Sequence, residues 1–288
     1  MRNGELSNVH ESPVEAIHAL RKDPANWQLL RDSYVTGDPI GDARRFSESA
    51  EFAEARALLR NRLQGATVLD LGAGTGIASY AFAHAGCRRV FALEPEKSEL
   101  GQKAIADLSR GLPIEIVLGT GEAIPLPAAS IDIVYARQVL HHIRDLPVVM
   151  RECARVLKED GAFLACREHV VDDEEQLRVF LANHPVHQLT AGENAYSLPV
   201  YLSAIEDASL TLVCVLGPWD SVINAYPRVC SLEQLRSYPF RALASHLGVY
   251  PARLLNHIPG VKALFWKWLR SRRSPGRLYS FLAVKQSR

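Results

Sequence analysis

The chain has no run of about 18 apolar residues, the length a membrane-crossing helix needs. Its opening segment, MRNGELSNVHESP, lacks the apolar core of a secretion signal. The five cysteines (Cys87, Cys153, Cys166, Cys214 and Cys230) lie far apart and form no CxxC pair. That spacing argues against a ribbon-type metal site and predicts reduced, buried thiols in a cytoplasmic protein. There is no internal repeat and no low-complexity stretch, which excludes a solenoid. GxSxG and HExxH are both missing, so neither a serine elbow nor a zincin helix is expected. Neither sign of charge is in excess, with 33 Lys plus Arg against 32 Asp plus Glu, and 48% of residues are hydrophobic. Such values exclude disorder and coiled coil. The 288 residues suit one large domain with insertions, or two smaller ones, at roughly 100–200 residues per domain.

The balanced total conceals an asymmetry. From Ala225 to Arg288 twelve Lys and Arg stand against a single acid, Glu233, so the remainder is net acidic. This polarity predicts an anionic partner near the C-terminal part, or attraction between the two parts. Absence of a recognition motif and an acidic remainder argue against nucleic acid.

Residues 1–64 read as a helical cover, with helices over 13–21 and 27–34 and a longer one from Ser47 to Leu63, capped by Ser47 or Ser49. Gly37 to Gly41 reads as a turn. From Thr67 the rhythm changes to apolar strands alternating with helices: TVLDL, RVFALEPE, then strands over 114–118, 131–136 and 162–166. This alternation predicts parallel β-α-β units. Helices over 174–183 and 200–208 flank a polar loop, and strands over 210–216 and 278–284 follow. The roughly sixty residues between those last two strands, with helices over 231–247 and 261–270, predict a lid. A domain over 65–288 therefore carries insertions at about 168–196 and 220–277.

Asp70-Leu-Gly72-Ala-Gly74-Thr-Gly76 ends the first strand and opens a helix. Alternate glycines permit unusual backbone angles and close approach of a ligand. A dinucleotide site wants GxGxxG, but here Ile77 takes the place of its third glycine. Asp70 adds a carboxylate, which repels phosphate and suits an ammonium group. A nucleoside with an amino-acid end and no phosphate fits better. Glu94, at the end of the second strand, is placed to accept hydrogen bonds from ribose hydroxyls.

VLDLGAGTG, ALEPE, GTGEAIPLP, IDIVYARQVLHHI and RECARVLKEDGAFLA, in that order, resemble class I S-adenosylmethionine-dependent methyltransferases of the methyltransferase-11 type. The resemblance implies an α/β, Rossmann-like, seven-stranded, mostly parallel sheet with its last strand antiparallel. It implies that Asp70, Gly72, Gly74 and Gly76 line the methionine part of S-adenosyl-L-methionine and that Glu94 holds the ribose. Thr120 stands where the family usually has Asp, which leaves Gly121 and Glu122 as adenine contacts beside the apolar Pro95. Arg137 is placed to pair with the methionine carboxylate, or to form a surface ion pair. His141 and His142, as neighbours, cannot face one metal ion and read as structural.

Methyl transfer from a sulfonium needs alignment of the acceptor and exclusion of water. An oxygen acceptor also gains from a base near neutrality. His169, His187 and Glu168 are the candidates for that chemistry, with the Gly192–Tyr196 and Asp220–Asn224 groups beside them. Glu168, His169, His184 and His187 could instead hold a divalent ion, but their spacing follows no metal motif. The stretches REHV, HPVHQL, GENAY and SPGRLYSFLAVK resemble methyltransferases of bacterial polysaccharide synthesis, which implies a sugar hydroxyl or another small polar molecule as acceptor. C- or N-methylation of a small metabolite, and cofactor binding without catalysis, are the alternatives. The segment 261–277 mixes aromatics with six cations and no acid. It suits peripheral contact with an anionic membrane, a clamp for an anionic substrate, or an amphipathic helix whose Leu264, Phe265, Trp268 and Leu269 cover the domain.

Overall fold

Apolar runs closed by glycine or capped by Ser and Asp become the elements of the computed structural model, which describes residues 13–95, 99–183 and 194–287. Helices α1 (Pro13–Leu20), α2 (Trp27–Asp32), α3 (Pro39–Ser47) and α4 (Ala50–Leu59) lead the chain. The turn expected at Gly37–Gly41 instead starts α3. Asp38 accepts a hydrogen bond from the Gly41 amide (2.9 Å), and Pro39 tolerates the first helical position because its missing N–H would have no partner there. Of the two caps expected for the helix reaching Leu63, Ser49 is the one used, and the helix ends in a 3-10 turn over Arg60–Arg62. Ser49 Oγ accepts from the Phe52 amide (3.1 Å) and so caps α4.

Seven strands follow: β1 (Thr67–Leu71), β2 (Arg89–Glu94), β3 (Ile114–Leu118), β4 (Ile131–Arg137), β5 (Leu157–Val170), β6 (Leu210–Leu216) and β7 (Arg277–Lys285). They form one sheet in the order β3-β2-β1-β4-β5-β7-β6. All pairings are parallel except those of β7, which runs antiparallel to both β5 and β6. The sheet is the Rossmann-like, mostly parallel one the sequence predicts. Helices α5 (Ile77–His84), α6 (Glu99–Leu108) and α7 (Leu146–Val156) are crossovers, while α8 (Glu174–Asn183) and α9 (Leu198–Asp207) join β5 to β6.

Alternate strand residues feed two cores. Leu69, Leu71, Phe91, Leu93, Val134 and Phe163 pack towards α7 and α9. Val68, Val90, Ile133, Tyr135 and Leu164 face α3, α4 and α5. There the rings of Phe52 and Phe82 meet edge to face at 5.3 Å, and Phe82 meets Tyr135 at 4.9 Å. Burial on both faces explains why the central strands read as continuous apolar runs.

Between β6 and β7 lie α10 (Val222–Ala225), α11 (Leu232–Leu247), α12 (Val249–His257) and α13 (Val261–Ser271). This insertion builds a small core of its own from Trp219, Val222, Ala225, Val229, Leu235 and Leu269, with Phe265 and Trp266 against it. Of the four α13 residues expected to cover the domain, only Phe265 and Leu269 turn inward. Leu264 and Trp268 are 68% and 52% exposed. The thiols also differ from expectation. Cys87, Cys153 and Cys166 are buried, but Cys214 is half-buried on edge strand β6 and Cys230 is exposed just before α11.

Candidate functional site

The loop after β1 is set by three glycines with positive φ: Gly72 (+65°), Gly74 (+56°) and Gly76 (+80°). Each does a different job. A Cβ on Gly72 would sit 2.3 Å from Cγ2 of Val139, so the loop after β4 can approach only because Gly72 has no side chain. A Cβ on Gly76 would lie 3.0 Å from Ile105 of α6. A Cβ on Gly74 would meet nothing within 4 Å, so this glycine faces open space. The Gly74 amide donates to Glu94 Oε2 at 2.8 Å, which joins the ends of β1 and β2.

Asp70 is almost fully buried behind the loop, where Ser79 Oγ of α5 donates to its carboxylate at 2.6 Å. Burial lifts the Asp70 carboxyl to about 6, against the opposing hydrogen bonds from Ser79. Glu94 is likewise buried. Pro95 is exposed, and its carbonyl accepts from Gln102 Nε2 (3.1 Å). Gly121 packs under Val149, where a Cβ would lie 3.0 Å from Cγ1, while Glu122 is exposed.

Arg137 ends β4, as expected. Its guanidinium forms a two-point ion pair with the buried Glu51 of α4 (2.7 and 3.2 Å) and lies over the rings of Tyr34 and Phe46. Burial lowers its pKa, but Glu51 more than offsets this and holds the group above its ordinary value. Of the two readings of Arg137, a methionine carboxylate or a surface ion pair, the structure gives an ion pair, buried rather than at the surface. Nothing near Arg137 in sequence signals Glu51, because the pairing spans 86 positions.

Glu168 also departs from a direct chemical role. It is fully buried and accepts from the amides of Val139 (3.1 Å) and His141 (3.2 Å) and from Nδ1 of His141 (2.8 Å). Burial pushes its carboxyl up, and the amides of Val139, Leu140 and His141 oppose this. The carboxylate therefore suspends the turn after β4, which includes Gln138 at φ +54° and the Val139 that packs on Gly72. His141 and His142 stack in this turn with ring centroids 4.2 Å apart.

His169 is half-buried between His141 and Phe180, each ring at 4.7 Å. Its Nδ1 lies 2.7 Å from the carbonyl of Gly276. A carbonyl only accepts, so Nδ1 carries the proton and a neutral ring keeps its lone pair on Nε2. Gly276 has φ +68°, and a Cβ there would meet Phe180 Cδ2 at 2.2 Å. Gly276→Ala is expected to lower stability by about 1–3 kcal/mol in urea unfolding, through overpacking and backbone strain.

His184, His187, Gly192 and Glu193 lie outside the described residues. Tyr196, from the same predicted group, donates to the carbonyls of Ile143 and Arg144 and so braces the turn after β4. Asn224 is engaged with the carbonyls of Leu216 and Gly217 (2.9 and 3.0 Å). Among the described residues no three His, Cys, Asp or Glu groups converge on a metal position.

A cavity of about 700 Å³ opens between the insertion and the adjoining ends of β5, β6 and β7. Arg167, Trp219, Tyr226, Tyr238, Phe265 and Trp268 border it, as does Gly276, the partner of His169. A cleft of about 680 Å³ at the opposite, amino end of the sheet contains none of the candidate site residues. Ligands of parallel sheets bind at the carboxyl ends, so the first cavity is the relevant one.

A glycine loop at the carboxyl end of β1, next to a carboxylate closing β2, defines a Rossmann-like nucleoside-binding protein. Residues 69–165 match the methyltransferase-11 family, described as a methyltransferase domain. The chain is 33% identical over 151 residues to YcgJ, a methyltransferase of Bacillus subtilis, covering 51% of this chain and 54% of that one. It is 26% identical over 200 residues to a ubiquinone biosynthesis O-methyltransferase of Rhizobium etli, covering 68% of this chain and 79% of that one. Of most curated relatives that it matches, the chain spans little more than half the length. The crystal structure of YcgJ superposes with a TM-score of 0.53 at 21% identity, over 83% of this chain and 99% of that one, which shows a shared fold.

The residues present fit S-adenosyl-L-methionine. Gly74 leaves space at the loop surface, Glu94 closes the strand that would meet a ribose, and no basic side chain awaits a diphosphate in the 70–76 segment.

Proposed function

We propose that the chain transfers a methyl group from S-adenosyl-L-methionine to a hydroxyl of a small polar acceptor, a sugar of surface polysaccharide synthesis. The observation that carries this reading is the turn after β4. One side of it packs on Gly72 of the cofactor loop, and the other is tied through Glu168 and His141 to the imidazole of His169. The cofactor supplies an electrophilic methyl group on a sulfonium. The chain's residues do the rest. Gly72 and Gly74 would let the backbone approach the cofactor, Glu94 would accept from the ribose hydroxyls, and Asp70 would place negative charge behind the cationic end. His169 takes the hydroxyl proton on Nε2 as the oxygen accepts the methyl group. Its ring is oriented for this by Gly276, His141 and Phe180.

His169→Ala is expected to abolish methyl transfer while calorimetry shows cofactor binding unchanged; normal turnover would remove the base from the scheme. The acceptor itself is sought by mass spectrometry of glycans and metabolites from cells with and without the gene, as a species lighter by one methylene.

Asp70 makes the proposal pH-sensitive. Its folded pKa of about 6 lies above the ordinary carboxyl value, so the folded state holds a proton that the unfolded chain has already lost. Stability therefore falls as pH rises from about 4 to about 6, by about 3 kcal/mol in all, and stays lower above that window. Cofactor binding runs the other way, since a cation prefers ionised Asp70. Calorimetric titrations at pH 5 and pH 7 are expected to show tighter binding at pH 7, with Asp70→Asn abolishing the difference.

Exposed Leu264 and Trp268 beside Lys262 and Lys267 on α13 support peripheral docking of this face on an anionic bilayer. Flotation with anionic and neutral liposomes tests it; equal recovery in both would sink the idea.

A further inference from the structure

Arg167 sits where β5 slips register against β7, in a bulge between Ala165 and Glu168, with φ +62°. The bulge is pinned. The Arg167 amide donates to Ser280 Oγ (3.1 Å), and that hydroxyl donates to Asn224 Oδ1 (2.7 Å). The side chain is only 7% exposed and borders the 700 Å³ cavity. Nη1 donates to the carbonyls of Ile223 (2.6 Å) and Tyr226 (3.0 Å), and the guanidinium lies over the Tyr226 ring. Nε is buried and makes no hydrogen bond.

The contrast with Arg137 is informative. That neighbouring buried guanidinium has Glu51 as a two-point partner. Arg167 makes no ion pair among the described residues. Glu51, already paired with Arg137, offers Arg167 only a shared charge that does not offset the cost of its burial, and a guanidinium does not escape that cost by losing its proton. The bulge nevertheless holds it in place. No Asp or Glu borders the cavity. Arg228 and Arg272 lie at its exposed margin, and neither is ion-paired among the described residues. Arg272 stacks on Trp268 at 5.1 Å. The remaining wall is apolar and aromatic, with Trp219, Tyr238 and Phe265. An anion with an apolar body satisfies both halves of this lining, and phosphate oxygens match the fork of a guanidinium.

We propose that the cavity binds an amphiphilic phosphate ester, with Arg167 as the buried counter-ion of the phosphate, Arg228 and Arg272 at the mouth, and the Trp219–Phe265 wall around the apolar chain. The assignment rests on the methyltransferase reading, in which a cavity at this end of the sheet takes the acceptor, and it makes the acceptor sugar the polar head of an amphiphilic phosphate ester.

Dodecyl phosphate below its micellar concentration is the probe, with dodecanol and inorganic phosphate as controls. Calorimetry and the fluorescence of Trp219 and Trp268 are the readouts. Dodecyl phosphate is expected to bind at least about tenfold more tightly than either control. Arg167→Gln and, separately, the surface double variant Arg228→Ser with Arg272→Ser are each expected to weaken it about tenfold, while dodecanol binding stays unchanged. The surface variant keeps the test valid should Arg167→Gln fail to fold. Equal affinity for dodecanol, or undiminished affinity in the surface variant, overturns the proposal. Phosphatidylglycerol vesicles distinguish the source of the ligand: Arg228-dependent cosedimentation means presentation from a bilayer, and dodecyl phosphate binding without cosedimentation means a free metabolite. Both results support the site. Titration of S-adenosyl-L-methionine on the same samples separates the two readings. Phosphate-ester binding without cofactor binding would remove the methyltransferase reading and leave the site. Cofactor binding with no preference for the phosphate ester would do the reverse.

Discussion

Gly72→Ala is expected to reduce affinity for S-adenosyl-L-methionine by about 100-fold or more, equivalent to roughly 3 kcal/mol. Two effects combine. The backbone at φ +65° is strained for any residue with a Cβ, and that Cβ would lie 2.3 Å from Val139. Val139 cannot swing away cheaply, since a β-branched side chain is stiff at χ1 and its amide is tied to Glu168. The loop must therefore open where the ligand should lie. Gly72→Ala combined with Val139→Ala is the control, because it removes the Cγ2 that the new Cβ would meet and leaves φ strain alone. Calorimetric titration of both variants checks the order. Equal losses would mean that contact with Val139 does not shape the loop.

Glu168→Ala is expected to destabilise the fold by about 3–5 kcal/mol, a large share of the roughly 5–15 kcal/mol that holds a typical domain together. The substitution strands the amides of Val139 and His141 and the Nδ1–H of His141 around the space left by a fully buried acceptor. Glu168→Gln keeps one acceptor oxygen and is expected to lose less. Chemical unfolding of the three proteins gives the stability ranking. Turnover of the glutamine variant shows whether the turn's position matters beyond stability: a folded protein with slowed transfer marks a positioning residue, and unaltered transfer assigns Glu168 to stability alone.

Much of the sheet was legible because its determinants are local. A short, mostly apolar run leading into glycines, such as Val68 to Leu71 before Gly72 and Gly74, specifies a buried strand and the turn after it in the same few letters. The antiparallel seventh strand came from family resemblance. The parts that sequence missed depend on distant partners. Glu51 reads as an ordinary acid in the first turn of a helix, yet it is buried and neutralises Arg137 across 86 positions. Glu168 looks like a base beside a histidine, but the three donors it serves come from a turn about thirty positions earlier. The start of α3 was hidden for a different reason. Gly37-Asp-Pro-Ile-Gly41 contains turn residues throughout, and the same Asp-Pro pair that opens a turn also caps a helix.

The order of the chain separates two tasks. The loop that would cradle the cofactor, the strand end beside it and the turn that packs on it fall between Asp70 and His142, whereas the cavity draws on Arg167 and then on residues 218–278. Evolution can therefore exchange the later segment, and with it the choice of molecule to be modified, without rewriting the earlier one. The insertion's aromatic core, centred on Trp219 and Leu269, gives such an exchange a cluster to trade, anchored to the rest of the chain mainly through Ala50, Glu54 and Arg167.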